Sequence, residues 1–313
     1  MKKTWSEIEE TTSVFGMRFM FFVYRILGRF VFSIFLFPVI AYYYFTQPVA
    51  RLSSKEFLSR VQKLEEKFQK ESLNRLSYRH FLQFGNSMLD KLAVWAGKVD
   101  LATVSYSGRE EFLKTVDEGK GALVIASHLG NQEISRVMAD SHKRVKLNIL
   151  VHTKHAQKFN KLLKDIDETS SLNLIQVTEV SPSTAMMLSE KINAGEVIVI
   201  AGDRAPIGGG RQSSVNFLGD EAVFPQGPYI LASIFKCPVF LLFCVNENPG
   251  YKIIIEHFAE IISLPRKQRD RLLTEWAQKF AARLGYYARQ YPLQWYNFFD
   301  FWQDNPERKS KLE

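Results

Sequence analysis

The sequence predicts an α/β fold in which a mixed, largely parallel sheet is flanked by helices. From about residue 101, short runs rich in leucine and β-branched residues recur, and stretches with helical periodicity separate several of them. Such alternation is typical of strand–helix–strand units, whose consecutive strands run parallel. The predicted strands are 122–126, 145–151, 172–178, 196–201, 238–245 and 251–256. The predicted helices are 109–117, 131–142, 155–167, 181–194, 226–235 and, last, about 266–289.

A hydrophobic segment precedes this domain. Residues 14–29 place Arg18, Arg25 and Arg29 among mostly apolar neighbours, and the following residues 30–45 contain no charged side chain. That uncharged run is shorter than the roughly 20 residues that a perpendicular membrane span requires. The pattern favours a membrane-anchor helix that either just spans the bilayer or lies in its interface. A buried hairpin of a soluble domain is the alternative.

These patterns divide the chain into three predicted parts. Residues 1–50 form the N-terminal membrane anchor. Residues 51–100 contain two stretches with apolar residues at three- and four-residue spacing, which predicts a helical collar. Residues 101–313 form the α/β domain, where we expect the chemistry to take place.

Composition narrows the classes of partner. The net charge is +8, which favours anionic partners, and 25 Phe, 12 Tyr and 5 Trp suit a partner that is partly apolar, such as lipid. None of the usual nucleic-acid-binding signatures is present in the sequence, so we expect no nucleic acid partner. Cys237 and Cys244 lie in or beside an apolar run and are predicted to be core residues. His152 and His155 have no third ligand in their pattern, so we expect neither a metal nor a cofactor.

The first candidate site is the stretch "SHLGNQE", residues 127–133, which follows the apolar run "GALVIA". His128 is predicted to lie at the carboxyl end of a strand, where open α/β sheets bind their ligands. Glu133 is predicted to lie in the first turn of the next helix, where a carboxylate stays ionised. A carboxylate that holds one ring nitrogen of a histidine leaves the other nitrogen as a general base. The alternative is a histidine that satisfies a turn carbonyl, next to a solvated acid.

The second candidate site is "EVIVIAGDRAP", in which Asp203 and Arg204 again follow a predicted strand. Arg204 is suited to binding an oxyanion or a phosphate, and Asp203 is suited to orienting it. The alternative is a structural ion pair at the edge of the sheet. Residues 207–214 are predicted to be a mobile loop in which Arg211 is a candidate phosphate contact.

The ordered set of motifs resembles a known family. A hydrophobic anchor, "HLGNQE", "GDR", "FPQGP" and "QWYNFFDFW" follow one another between about residue 14 and residue 302. This order is similar to that of the late lipid A biosynthesis acyltransferases, within the lysophospholipid acyltransferase superfamily. The resemblance implies that His128 is the catalytic histidine, that Glu133 is its acidic partner, and that Asp203 and Arg204 lie near the donor and acceptor groups.

Two segments depart from the lipid A pattern. The stretch "VHTKHAQKFN" stands where the family has an arginine-containing block, which leaves Lys154 and Asn160 as the nearest substrate-binding equivalents. "GDRAP" replaces a segment with two aspartates. In these features the chain is similar to the subgroup associated with aryl polyene-type lipid biosynthesis.

The resemblance implies an O-acyltransferase at the cytoplasmic face of a bacterial inner membrane. It would move a fatty or polyene acyl group from an acyl carrier protein or coenzyme A thioester to a hydroxyl of a membrane lipid acceptor. The His128–Glu133 dyad would serve as the general base, and Lys154, Asn160, Asp203, Arg204 and Arg211 would bind substrate. Two alternatives remain open: a lipid or thioester hydrolase that uses the same dyad, and a non-catalytic membrane-binding scaffold.

Overall fold

The computed structural model confirms an α/β fold in the residues that it describes, which are 34, 36–95, 103–132, 134, 145–151, 172–176, 181–204, 210–247 and 250–302. The strands in these ranges are β1 (Val104–Ser107), β2 (Ala122–Gly130), β3 (Leu147–Val151), β4 (Leu172–Gln176), β5 (Val197–Ala201), β6 (Gln212–Phe217), β7 (Asp220–Pro225), β8 (Val239–Glu247) and β9 (Gly250–Ala259). The helices are α1 (36–46), α2 (Pro48–Leu64), α3 (Glu66–Gln69), α4 (Leu73–Trp95), α5 (Arg109–Asp117), α6 (Pro182–Asn193), α7 (Gly227–Phe235) and α8 (Arg269–Gln290).

Seven of the strands form one mixed sheet in the order β1-β9-β8-β2-β5-β3-β4. Within this sheet β8 and β9 are antiparallel, and the other neighbouring pairs are parallel. The six strands predicted from the sequence are all present, with bounds that differ by a few residues. The mixed, largely parallel sheet is therefore confirmed.

The central strand β2 is apolar on both faces because both faces are covered. Leu123 and Ile125 pack into the core beneath α2, α7 and α8, whereas Val124 and Ala126 pack into a second core that includes α5. All four residues are at most 3% exposed. This continuous apolar run is typical of a parallel strand buried between two layers of helices.

Helix α8 returns the chain to the carboxyl edge of the parallel strands. Because β9 runs antiparallel to β8, it ends at the opposite edge, and α8 starts from there. Its apolar residues Leu273, Ala277, Phe280 and Leu284 recur at three- and four-residue spacing and are fully buried. The segment that follows Gln290 therefore lies at the edge at which β2 and β5 end.

The predicted membrane anchor is not supported by the described residues. Most of the anchor, residues 1–33, lies outside them, and the described part is the short helix α1. No helix within the described ranges is both long enough and apolar enough to span a bilayer. One side of α1 packs on α4 through Ile40 and Tyr44, and its other side exposes large apolar side chains.

Part of the predicted loop at residues 207–214 is a strand instead. β6 starts at Gln212 and pairs with β7 in an antiparallel hairpin whose buried and exposed residues alternate. Leu218 and Gly219 form its turn with φ values of 53° and 93°, a left-handed combination typical of two-residue hairpin turns.

Candidate active site

The two candidate stretches meet at the carboxyl edge of the sheet. β2 and β5 are adjacent parallel strands, with Ala126 in register with Ala201. His128 lies near the end of β2, and Asp203 follows β5 by two residues. The Nδ1 atom of His128 lies 2.9 Å from Oδ1 of Asp203. The sequence pattern placed both residues at strand ends, and parallel pairing brings those ends together.

An irregularity in β2 turns His128 away from the regular strand. The register with β8 shifts between Ala126 and Gly130. Gly130 has a φ of 76°, and a Cβ atom there would lie 1.8 Å from the carbonyl oxygen of Cys244, so only glycine fits. Such a bulge re-aims the side chains beside it, which is frequent next to active sites.

Residues from the far end of the domain close this edge. Leu129 forms an antiparallel bridge with Trp295, and the Tyr296 amide donates to the carbonyl of His128 at 3.0 Å. The Gly130 amide donates to the carbonyl of Gln294 at 2.8 Å. The segment Gln294–Tyr296 thus pairs with the irregular end of β2, where regular sheet pairing stops.

Asp203 accepts three hydrogen bonds from two residues. Its Oδ1 faces the His128 ring, and its Oδ2 accepts from the His128 backbone amide at 2.7 Å and from Trp295 Nε1 at 3.1 Å. The carboxylate is 2% exposed, so these donors replace the water that it loses. The orientation of both the carboxylate and the imidazole is fixed by this set of contacts.

The charges of the site favour an ionised Asp203 beside a neutral His128. Burial alone would raise the pKa of Asp203, but the charge and hydrogen bonds of His128 and the charge of Arg204 lower it to about 2. Burial also lowers the pKa of His128 below its ordinary 6.5, although 34% of its side chain remains exposed, and Arg204 and Lys91 lower it further against the opposing effect of Asp203. At neutral pH the Nδ1 proton is donated to Asp203, and Nε2 carries a lone pair.

Arg204 lies beside this pair. Its Nη2 atom donates to the carbonyl of Tyr296 at 3.1 Å, and its guanidinium lies 5.4 Å from the ring centre of Phe299. The sequence pattern assigned Asp203 the role of orienting Arg204. Burial lowers the pKa of Arg204 against the opposing charge of Asp203. The hydrogen bonds that the two carboxylate oxygens of Asp203 accept come from His128 and Trp295.

Of the other predicted site residues, only Arg211 is described by the structure, and it is not part of this arrangement. Arg211 is described and exposed, immediately before β6. Glu133, Lys154 and Asn160 lie outside the described residues, so their roles stay predictions. Within the described ranges, no group of three or more histidine, cysteine, aspartate or glutamate side chains is arranged to hold a metal ion.

The two cysteines are buried and free, as predicted for core residues. Burial raises the pKa of Cys237 to about 11 and raises that of Cys244 as well. Both side chains therefore stay as neutral thiols at neutral pH and lack the thiolate character of a nucleophile.

Two contributors to the site were not singled out in the sequence. Trp295 was recognised only as part of an aromatic motif, and Lys91 not at all. The motif placed Trp295 in the family pattern, but no local pattern indicates that its indole reaches a carboxylate 92 residues earlier. Lys91 lies one helical turn after Ser87, whose carbonyl accepts from Asn131 at 3.1 Å, on the part of α4 that faces the site.

Comparison with known proteins identifies one family. The model of the bacterial lipid A biosynthesis acyltransferase family matches residues 27–303 of the chain. A search of curated proteins found no match. The matched range includes His128, Asp203, Arg204 and Trp295, and it covers the whole sheet.

Proposed function

Because the chain belongs to the bacterial lipid A biosynthesis acyltransferase family, an acyltransferase family that acts on lipid, we propose that it uses His128 as the general base of an O-acyl transfer. The observation that carries this proposal is the contact between His128 and the buried carboxylate of Asp203. It supplies an oriented, neutral imidazole at the edge of the sheet where ligands bind.

In the proposed reaction, Nε2 of His128 takes the proton of a hydroxyl on the lipid acceptor. The hydroxyl oxygen attacks the carbonyl carbon of an acyl thioester, so that a carbon–oxygen bond forms and the carbon–sulfur bond breaks. The imidazolium then returns the proton to the leaving thiolate. Asp203 stabilises the imidazolium because it stays ionised throughout, and no covalent acyl-enzyme is needed.

We assign to Arg204 the role of binding negative charge on the substrate. Its guanidinium lies close enough to lower the pKa of His128, so an oxyanion or phosphate bound there would lie beside the reacting atoms. The net charge of +8 suits an acidic acyl carrier protein or a coenzyme A thioester as donor. Lys154, Asn160 and Arg211 remain the proposed further contacts to substrate, and Glu133 the proposed second carboxylate.

We place the enzyme at the cytoplasmic face of a bacterial inner membrane. The exposed side of α1 supports this placement, because Phe37, Tyr42 and Phe45 are 54%, 64% and 69% exposed. Exposed aromatic side chains on one helix are typical of a surface that lies in the lipid interface. By the same proposal, residues 1–50 attach the domain to the membrane and residues 51–100 connect it. The acyl group that it moves is a fatty or polyene chain, as in the subgroup associated with aryl polyene-type lipid biosynthesis.

We expect the triple substitution of Phe37, Tyr42 and Phe45 by serine to weaken membrane binding at least about tenfold, because each aromatic side chain loses the apolar area that lipid would cover. The measurement is co-sedimentation of the full chain with vesicles of phosphatidylglycerol and phosphatidylethanolamine. Met186→Ser is the matched control, since Met186 is 67% exposed on α6 and lies outside this helix. Unchanged binding of the triple variant would remove α1 from the membrane contact.

The reaction itself is tested by its products. The purified full chain is incubated with a radiolabelled acyl thioester and membrane lipid, and the products are separated by mass. We expect an acylated lipid and a free thiol in equal amounts. Free fatty acid without an acylated lipid would assign the same pair to a hydrolase, and turnover of neither substrate would leave the scaffold alternative.

A further inference from the structure

A buried chain of hydrogen bonds connects α2 and α4 to the catalytic edge. Ser77 Oγ donates to Ser54 Oγ at 2.9 Å, and Ser54 Oγ lies 3.0 Å from Nδ1 of His80. Nε2 of His80 lies 2.9 Å from the carbonyl oxygen of Trp295. Ser54, Ser77 and His80 are completely buried, so these contacts are not shared with solvent.

The direction of every bond in this chain is determined. A carbonyl oxygen can only accept, so Nε2 of His80 carries the proton and donates to Trp295. Nδ1 is then an acceptor and takes the hydroxyl proton of Ser54, which in turn accepts from Ser77. Burial lowers the pKa of His80 to about 3, so the ring stays neutral and keeps this single arrangement at neutral pH.

Trp295 connects this chain of hydrogen bonds to Asp203. Its backbone carbonyl accepts from His80, and its indole nitrogen, which can only donate, reaches Oδ2 of Asp203 at 3.1 Å. Its ring lies against Phe57 at 4.8 Å and Phe217 at 5.2 Å between ring centres, both edge-on. The side chain is 1% exposed and is held on all of these sides.

We propose that His80 and Trp295 are positioning residues that hold Asp203 in the orientation in which it fixes the imidazole of His128. Neither residue touches the reacting atoms. His80 anchors the backbone of Trp295, and Trp295 supplies the third hydrogen bond to the carboxylate. This inference rests on the proposed role of His128 as the base, and it makes the helices that precede the catalytic domain part of the catalytic machinery.

Loss of the indole donor has a predictable electrostatic effect. With one donor fewer, more negative charge remains on Asp203, and the protonated form of His128 is stabilised. A base that protonates more readily loses activity at a higher pH, so the acid limb of the pH–rate profile moves upward. A substitution that only loosened the fold would lower the amount of active enzyme without moving this limb.

The decisive variant is Trp295→Phe, which keeps a ring and removes the donor. We expect kcat to fall about tenfold, the order of one hydrogen bond to a charged group, with little change in KM and with the acid limb shifted to higher pH. The matched control is Trp302→Phe. Trp302 is 3% exposed in the same aromatic cluster, and its indole nitrogen has no hydrogen-bond partner in the part of the chain that the structure describes. Its replacement should therefore leave the limb in place.

A second pair of variants tests His80. His80→Gln retains an amide donor near the position of Nε2, whereas His80→Phe retains the ring stacking on Phe298 at 4.6 Å and loses both hydrogen bonds. We expect His80→Phe to shift the acid limb upward and His80→Gln to restore it. If Trp295→Phe does not fold, these two His80 variants test the positioning role by themselves.

An unchanged acid limb in folded Trp295→Phe, or in both His80 variants, would overturn the positioning role. Failure of the proposed function has a different outcome. In that case His128→Ala would retain activity, and the acid limb would have to belong to another group.

Discussion

Replacement of His128 by alanine is expected to lower kcat for acyl transfer by about 10²–10⁴-fold, the usual contribution of a general base. Among the described residues no other ring nitrogen takes its place, because His80 is buried away from the reacting atoms and holds a fixed tautomer through Ser54 and Trp295. Rates are measured with purified full chain at saturating thioester, and folding is checked by circular dichroism. Vesicle binding should be unchanged, since α1 is untouched.

The control for this substitution is His257→Ala. His257 lies on β9 and faces Glu260 at 3.5 Å, away from the edge formed by β2 and β5. Its removal should leave the rate within about twofold of the wild type, as expected for a surface side chain without a catalytic role. A His128→Ala variant that transfers acyl groups at a comparable rate would contradict the mechanism.

Asp203→Asn is expected to lower kcat by about 10³-fold or more, although the side chain keeps its shape. Two N–H donors, from the His128 backbone and Trp295, converge on Oδ2 and will select the amide oxygen for that position. The amide nitrogen then faces Nδ1 of His128 and donates to it. This forces the proton onto Nε2, which can no longer act as a base.

Glu133→Gln is the comparison that separates the two carboxylates. If Asp203 orients His128, as its contacts indicate, Asp203→Asn should cost more activity than Glu133→Gln. A near-normal rate for Asp203→Asn together with a large loss for Glu133→Gln would return the orienting role to Glu133. Both rates are measured at the pH optimum of the wild type, because each substitution also changes the charge of the site.

The positions of His128 and Asp203 at strand ends were predictable because apolar runs mark parallel strands and charged residues end them. The pairing between them was not, because sequence periodicity does not determine strand order. Nearness in sequence favoured Glu133 as the partner, five residues after His128. The adjacency of β2 and β5 places Asp203, 75 residues away in sequence, at the imidazole. The role of Glu133 stays a prediction.

The burial of His80 could not be predicted from local sequence patterns, for a similar reason. On a helix, a histidine within a polar stripe is ordinarily solvated, and it can be buried only if each ring nitrogen finds a partner. Its two partners come from α2 and from the segment after α8, which are 26 and 215 residues away. Only the assembled fold brings these three segments together.

The bridge between Leu129 and Trp295 also determines when the site is completed during protein synthesis. The ribosome makes the chain from its amino end, so α1, the base and its carboxylate all precede the residue that closes the edge of β2. Under the proposed function, the aromatic side of α1 that would contact the membrane is therefore made before Trp295, which completes the hydrogen bonds of Asp203.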